Sequence, residues 1–148
     1  MELIRDNLEK HRSIYYCGSY YHKVWKGSNL DSWIKAHVEL LNKVVPGYVL
    51  DFGDNWINYS VVPGVPVSEL PHTPELVKKV YNFCLDNILE TYPYVHGDWA
   101  LSNMLIEGDT IRMCDWDNLG IYPMAEVIAK LREDLTSSFG NAFLELIE

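Results

Sequence analysis

The chain of 148 residues sets 12 lysines and arginines against 21 aspartates and glutamates, and its formal charge of -9 argues against a duplex nucleic-acid binder, which needs a basic face. It has no apolar run of about 18 residues, and Met1-Glu2-Leu3-Ile4-Arg5-Asp6 lacks a signal-peptide core, so a soluble, cytoplasmic protein without membrane contact is expected. Cys17, Cys84 and Cys114 contain no Cys-x-x-Cys pair and the 5 histidines show no paired zinc spacing, which points to reduced, packed thiols.

In chain order, residues 1–10 read as a helix. Ile14-Tyr15-Tyr16 and the aromatic, β-branched run from Tyr20 to Trp25 read as strands around the turn Cys17-Gly18-Ser19. Residues 29–45 carry Leu30, Trp33, Ile34, Val38, Leu41 and Val45 at a helical period, with Ser28 or Asn29 available as cap. Two further strands follow, 48–50 and 56–62, separated by the turn formers of Asp51-Phe52-Gly53-Asp54. A Pro-rich stretch then leads to Thr73-Pro74-Glu75, which has the N-cap, first-turn proline and early acid of a helix start. Leu76, Val77, Val80, Phe83, Cys84, Ile88 and Leu89 make that helix apolar around much of its circumference, so burial beneath the next hairpin is expected. Met104-Leu105-Ile106 and Ile111-Arg112-Met113-Cys114 are strand-like runs about the turn Glu107-Gly108-Asp109-Thr110. Residues 123–135 form an amphipathic helix, and Gly140 separates it from a short apolar end.

The densest chemistry lies in Val95-His96-Gly97-Asp98-Trp99-Ala100-Leu101-Ser102-Asn103, answered by Asp115-Trp116-Asp117. Phosphoryl transfer asks a protein for a carboxylate that orients the attacking hydroxyl and for oxygen ligands that hold magnesium against nucleotide phosphates. Asp98, Asn103 and Asp115 are such side chains, and magnesium takes few ligands from the protein itself. The hairpin sets Asn103 opposite roughly Cys114, so Asn103 and Asp115 share its open end. Asp51-Phe52-Gly53-Asp54 spells a metal-binding triplet too, but it precedes Asp98 rather than following it and reads as a turn.

His-x-Asp, an Asn five positions after the Asp, an apolar hairpin and an Asp-aromatic-Asp triplet together resemble the aminoglycoside phosphotransferase and choline kinase group, which shares the protein-kinase-like fold. The resemblance implies an α+β, two-lobed chain: an N-terminal lobe over residues 1–62 with a small antiparallel sheet and a helix, a hinge over 63–70, and a reduced helical C-terminal lobe over 71–148 with the catalytic hairpin. It implies Asp98 as the hydroxyl-orienting base, Asn103 and Asp115 as magnesium ligands, and His96 as a residue that shapes the loop. Asp117 either approaches a second metal or caps the following loop. The same resemblance asks for a strand lysine that binds the phosphates of ATP and a helix glutamate that holds it. Lys23 is the choice, with Lys26, on the opposite strand face, in reserve. Glu39 is the one carboxylate available as its partner between Ser32 and Tyr48.

The chain departs from that group in two respects. No Gly-x-Gly-x-x-Gly loop precedes Lys23, and a helical start at 1–10 would leave one strand of the lobe missing. The C-terminal part is short, so the helices that usually build an acceptor pocket have no counterpart, and apolar surface is left over for a partner, most simply in a homodimer. The expected activity is transfer of the γ-phosphoryl group of ATP to a hydroxyl acceptor, probed against two alternatives: a catalytically weak or inactive nucleotide-binding interaction module, and a metal-dependent phosphohydrolase.

Overall fold

A computed structural model describes residues 2–7 and 12–148, and within them the chain is α+β, with antiparallel strands and four helices. It divides into two compact units, Met1–Val61 and Val62–Glu148. No helix among the described residues is long and apolar enough to cross a membrane.

The first unit is a sheet of five strands with one helix. The strands are β1 (Glu2–Asn7), β2 (Arg12–Tyr16), β3 (Tyr20–Trp25), β4 (Val49–Phe52) and β5 (Trp56–Ser60), in the order β1-β2-β3-β5-β4, and helix α1 (Asp31–Val44) lies in sequence between β3 and β4. Glu2–Asn7 corrects the helix expected over 1–10: it pairs antiparallel with β2, from Glu2 opposite Tyr16 to Asn7 opposite Arg12, and residues 1 and 8–10 lie outside the described residues. An isolated helix of that length is marginal in water, whereas a neighbouring strand satisfies the same backbone groups cooperatively.

On α1, Ile34, His37, Val38 and Leu41 are buried, a stripe narrower than the sequence period suggested. Trp33 is 43% exposed and lies flat on His37, with ring centroids 5.0 Å apart. The expected cap at Ser28 or Asn29 is also corrected. Asn29 has φ 60°, the helix begins from Leu30 with no side-chain cap, and Ile34 N–H donates to the Leu30 carbonyl at 2.9 Å. An asparagine tolerates that left-handed turn, and the turn moves the helix entry one residue on.

The second unit holds β6 (Val65–Pro66), α2 (Pro74–Thr91), β7 (Tyr94–Val95), β8 (Met104–Glu107), β9 (Thr110–Met113), β10 (Gly120–Ile121), α3 (Met124–Phe139) and α4 (Asn141–Ile147). Its strands form a three-stranded sheet, β6-β8-β9, and a two-stranded one, β10-β7. The stretch 63–70 thus contributes a strand of its own, Val65 opposite Ile106 and Pro66 opposite Leu105, followed by a fully buried Val67. Gly64 makes this approach possible, since at φ +124° a Cβ there would stand 2.8 Å from the Ile106 carbonyl oxygen.

Thr73 caps α2 as its sequence signature demands: Oγ1 accepts from Leu76 N–H at 3.2 Å, and Pro74 occupies the first turn. Val77, Val80, Cys84 and Ile88 are buried, and burial pushes the Cys84 thiol pKa up, keeping it protonated. One expectation for this helix fails: Leu89 is 73% exposed. α2 packs on α3, α4 and β7, and an ion pair of Lys79 with Asp109 at 2.8 Å joins it to the hairpin turn. The apolar end of the chain, α4, adds to its cover: Phe143 is fully buried and meets Tyr81 edge-on at 5.2 Å.

Candidate active site

The hairpin of β8 and β9 closes through Gly108-Asp109, with Glu107 opposite Thr110, and its last ladder pair is Met104 with Met113. One more rung follows. Cys114 N–H donates to the Asn103 carbonyl at 2.8 Å, so Asn103 and Asp115 leave the hairpin at the same end, as the sequence register requires. Asp115 has φ 54°, a left-handed conformation that turns the chain out of the strand at once.

His96 ties this end to the Asp98 loop. Its ring is fully buried, Nδ1 accepts from the Asp98 backbone N–H at 3.2 Å, and Nε2–H donates to the Cys114 carbonyl at 2.8 Å. One nitrogen accepts and the other donates, so the imidazole is the neutral Nε2–H tautomer. Its pKa is lowered, chiefly by burial, against the opposing pull of the Cys114 bond and the charges of Asp98, Asp115 and Asp117. Trp116 packs edge-on against it at 4.5 Å, and the Trp116 indole donates to the Met113 carbonyl at 3.3 Å. One side chain thus bridges the residue before Asp115 and the amide of Asp98 itself.

Gly97 allows the loop its path. At φ +89° a Cβ would stand 2.8 Å from the Asn118 carbonyl oxygen, so a larger residue meets both strain and backbone. Asp98 accepts from Ala100 N–H at 3.2 Å through Oδ1 and remains partly exposed. On the other side, Trp99 N–H donates to Oδ2 of Asp134 at 3.1 Å, while Lys130 Nζ donates to Oδ1 at 2.8 Å. The hydrogen bond to Asp134 is the largest cause of a raised Lys130 pKa, with smaller contributions from Glu133 and Asp98. Sequence reasoning missed Asp134, which holds the loop from α3. Its one sequence signal, a Lys130–Asp134 spacing of four, looks like any surface ion pair.

Asn103 and Asp115 offer an amide oxygen and a carboxylate, hard donors of the type magnesium takes. Among the described residues no group of three or more His, Cys, Asp or Glu side chains could hold a metal ion on its own. The donor set therefore fits an ion that keeps water and phosphate oxygens for most of its shell, and does not fit a closed structural site. Asp117, two residues on, is partly exposed.

In the first unit, Lys23 is 4% exposed, on the same face of β3 as Trp25, and its ammonium lies 5.7 Å from the Trp25 ring centroid and 5.6 Å from that of Tyr59. Aromatic faces attract a desolvated cation. Lys26 lies beyond the strand and is exposed. Glu39 is on the solvent side of α1. The structure brings Asp98, His96, Asn103 and the start of the Asp115 segment together. Glu39, by contrast, is exposed.

Beside the Asp98 loop lies a half-open cavity of about 250 Å³, lined by Val95, Gly97, Trp99, Tyr122, Glu126, Val127 and Lys130.

No protein-family model matches the chain, and no curated protein does. Among solved structures, the 2.2 Å crystal structure of WbdD is similar to it, with a TM-score of 0.63 and 13% identity over 90% of this chain and 36% of that one. At this identity the likeness is one of fold. The chain spans little more than a third (36%) of the length of WbdD.

Proposed function

We propose that the chain is a small ATP-dependent phosphotransferase of the protein-kinase-like fold, related to the aminoglycoside phosphotransferase and choline kinase group. The single observation that carries this reading is the His96 bridge, whose bonds of 3.2 and 2.8 Å join the Asp98 amide to the carbonyl preceding Asp115. A scaffold has no need to spend a buried, doubly bonded histidine on holding two partly exposed acidic segments together. The order β1-β2-β3-β5-β4, with a helix after the strand that carries Lys23, supports the kinase-like assignment of the first unit.

In this reading Asp98 accepts a hydrogen bond from the acceptor hydroxyl and aligns its oxygen on the γ-phosphorus of ATP. The new O–P bond forms as the bond to the β,γ-bridging oxygen breaks, the hydroxyl proton passes to Asp98, and ADP leaves. Magnesium held by Asn103 and Asp115 would supply charge neutralisation at the nucleotide phosphates. In the first unit, Lys23 is the residue proposed to bind nucleotide phosphate. Homodimer formation belongs to the proposal as well, supported by exposed Leu89 and Ile121.

A second reading, a nucleotide-binding module with weak or lost turnover, is favoured by one observation: Glu39 stands in solvent. One experiment separates the two. Asp98→Asn in an ATP-turnover assay with magnesium and a panel of hydroxyl compounds should lose about a thousandfold in rate while the Mg-ATP affinity, read by calorimetry, is unchanged. Turnover absent from the unsubstituted protein, with Mg-ATP bound, establishes the second reading. Equal loss of rate and affinity in the variant contradicts the role given to Asp98.

A further inference from the structure

The cavity beside the Asp98 loop is unlike a surface dimple. Val95 and Val127 are 1% and 3% exposed, Trp99 is fully buried, and with the Tyr122 ring they give it apolar walls. At the rim stand Glu126 and Lys130, four residues apart on α3, but their charges are not equivalent. Lys130 is already neutralised by Asp134 at 2.8 Å, whereas the Glu126 side chain has no ion-pair partner among the described residues. The rim therefore carries an excess of negative charge, Glu126 foremost, over an apolar hole.

We propose that this cavity is a binding site for a compact, largely apolar small molecule that bears one basic group, its body against Val95, Trp99 and Val127 and its cation at Glu126. Apolar walls with a few convergent polar groups are the composition of small-molecule sites. Burial of an aromatic or aliphatic body supplies the affinity, and Glu126 supplies the selectivity for charge. The site does not depend on phosphoryl transfer. Gly97 and Trp99 line it, and they flank Asp98 in sequence, so an occupant touches the loop whose far side Asp134 holds.

The test uses the full chain without nucleotide or magnesium and three probes: 2-phenylethylamine, its neutral counterpart 2-phenylethanol, and ethylamine, which has the charge without the body. Calorimetry and ligand-observed NMR should give 2-phenylethylamine a Kd of about 1 mM or tighter, a level open to a ligand of this size, with 2-phenylethanol weaker and ethylamine silent. Glu126→Gln should weaken 2-phenylethylamine about tenfold and leave 2-phenylethanol unchanged. Val127→Met, which fills the cavity, should weaken both at least tenfold. A melting curve checks that the variant folds, and Tyr122→Ala, at a partly exposed wall position, repeats the arm should Val127→Met not fold. Binding of both probes that ignores the wall substitutions, equal loss of both in Glu126→Gln, or no binding of 2-phenylethylamine at all overturns the proposal. Because nucleotide is left out, failure here leaves the phosphotransfer reading standing, and loss of ATP turnover leaves this site standing.

Discussion

The two acidic or basic constellations of this molecule are held in opposite ways. In the second unit, Asp98, Asn103 and Asp115 are carried on short segments that hydrogen-bond to one another: Cys114 to Asn103, Cys114 to His96, and His96 to Asp98. In the first, Lys23 is packed among aromatic rings while Glu39, its expected partner, stays in water. The difference teaches that segments tied through backbone and a buried ring do not need an exposed side chain to hold their place. An exposed carboxylate such as Glu39 contributes little by itself, because ordering a solvated side chain costs entropy that a surface ion pair barely recovers.

The largest break in this comparison should come from His96→Ala. Removing a buried ring and both of its hydrogen bonds should lower the stability of the second unit by about 3 kcal/mol, read by urea unfolding, and should depress turnover with it. A loss confined to turnover would mean that His96 acts on chemistry and not as a tie. Gly97→Ala comes next. At φ +89° and against the Asn118 carbonyl, it should cost about 2 kcal/mol, whereas a neutral outcome would show that the loop can move aside.

A smaller effect is set by pH. His96 has a lowered pKa in the folded chain, so below about pH 6.5 the unfolded chain binds a proton that the folded one refuses, and stability falls as pH drops by up to about 1.4 kcal/mol per unit. The contribution is complete above the unfolded value and is lost on acidification. Unfolding curves between pH 7 and 5 should show this slope, and His96→Ala should remove it. A slope identical in the two proteins would assign the titration elsewhere.

The smallest effect sharpens the other half of the comparison. Glu39→Gln should change stability by less than about 0.5 kcal/mol and leave Mg-ATP affinity unaltered. A tenfold loss of affinity in calorimetry would show that Lys23 and Glu39 do meet when nucleotide is present.

Much of the second unit could be read along the chain because its signals are local. Thr73 and Pro74 start α2, Gly108 turns the hairpin, and the ladder register alone set Asn103 across from Cys114. Where a signal depended on something distant, the reading missed. Glu2–Asn7 became a strand because β2 was there to pair with it, and Leu89 stayed exposed because α3 and α4 cover only one side of α2. Asp134 stayed invisible because an acid on a helix says nothing of the Trp99 amide 35 residues earlier in the chain.

The sequence by itself determined the order of chemical groups and their spacing, and with it the hairpin that carries Asn103 and Asp115 to one end, since turn chemistry and strand alternation act over a few residues. Only the tertiary structure decided that His96 would be buried and neutral, that Asp134 would hold the loop, that Glu39 would face water, and that a cavity would open beside Gly97. Those outcomes follow from which surfaces exclude water and which polar groups are left to satisfy one another, and that is a property of the packed chain, not of any stretch of it.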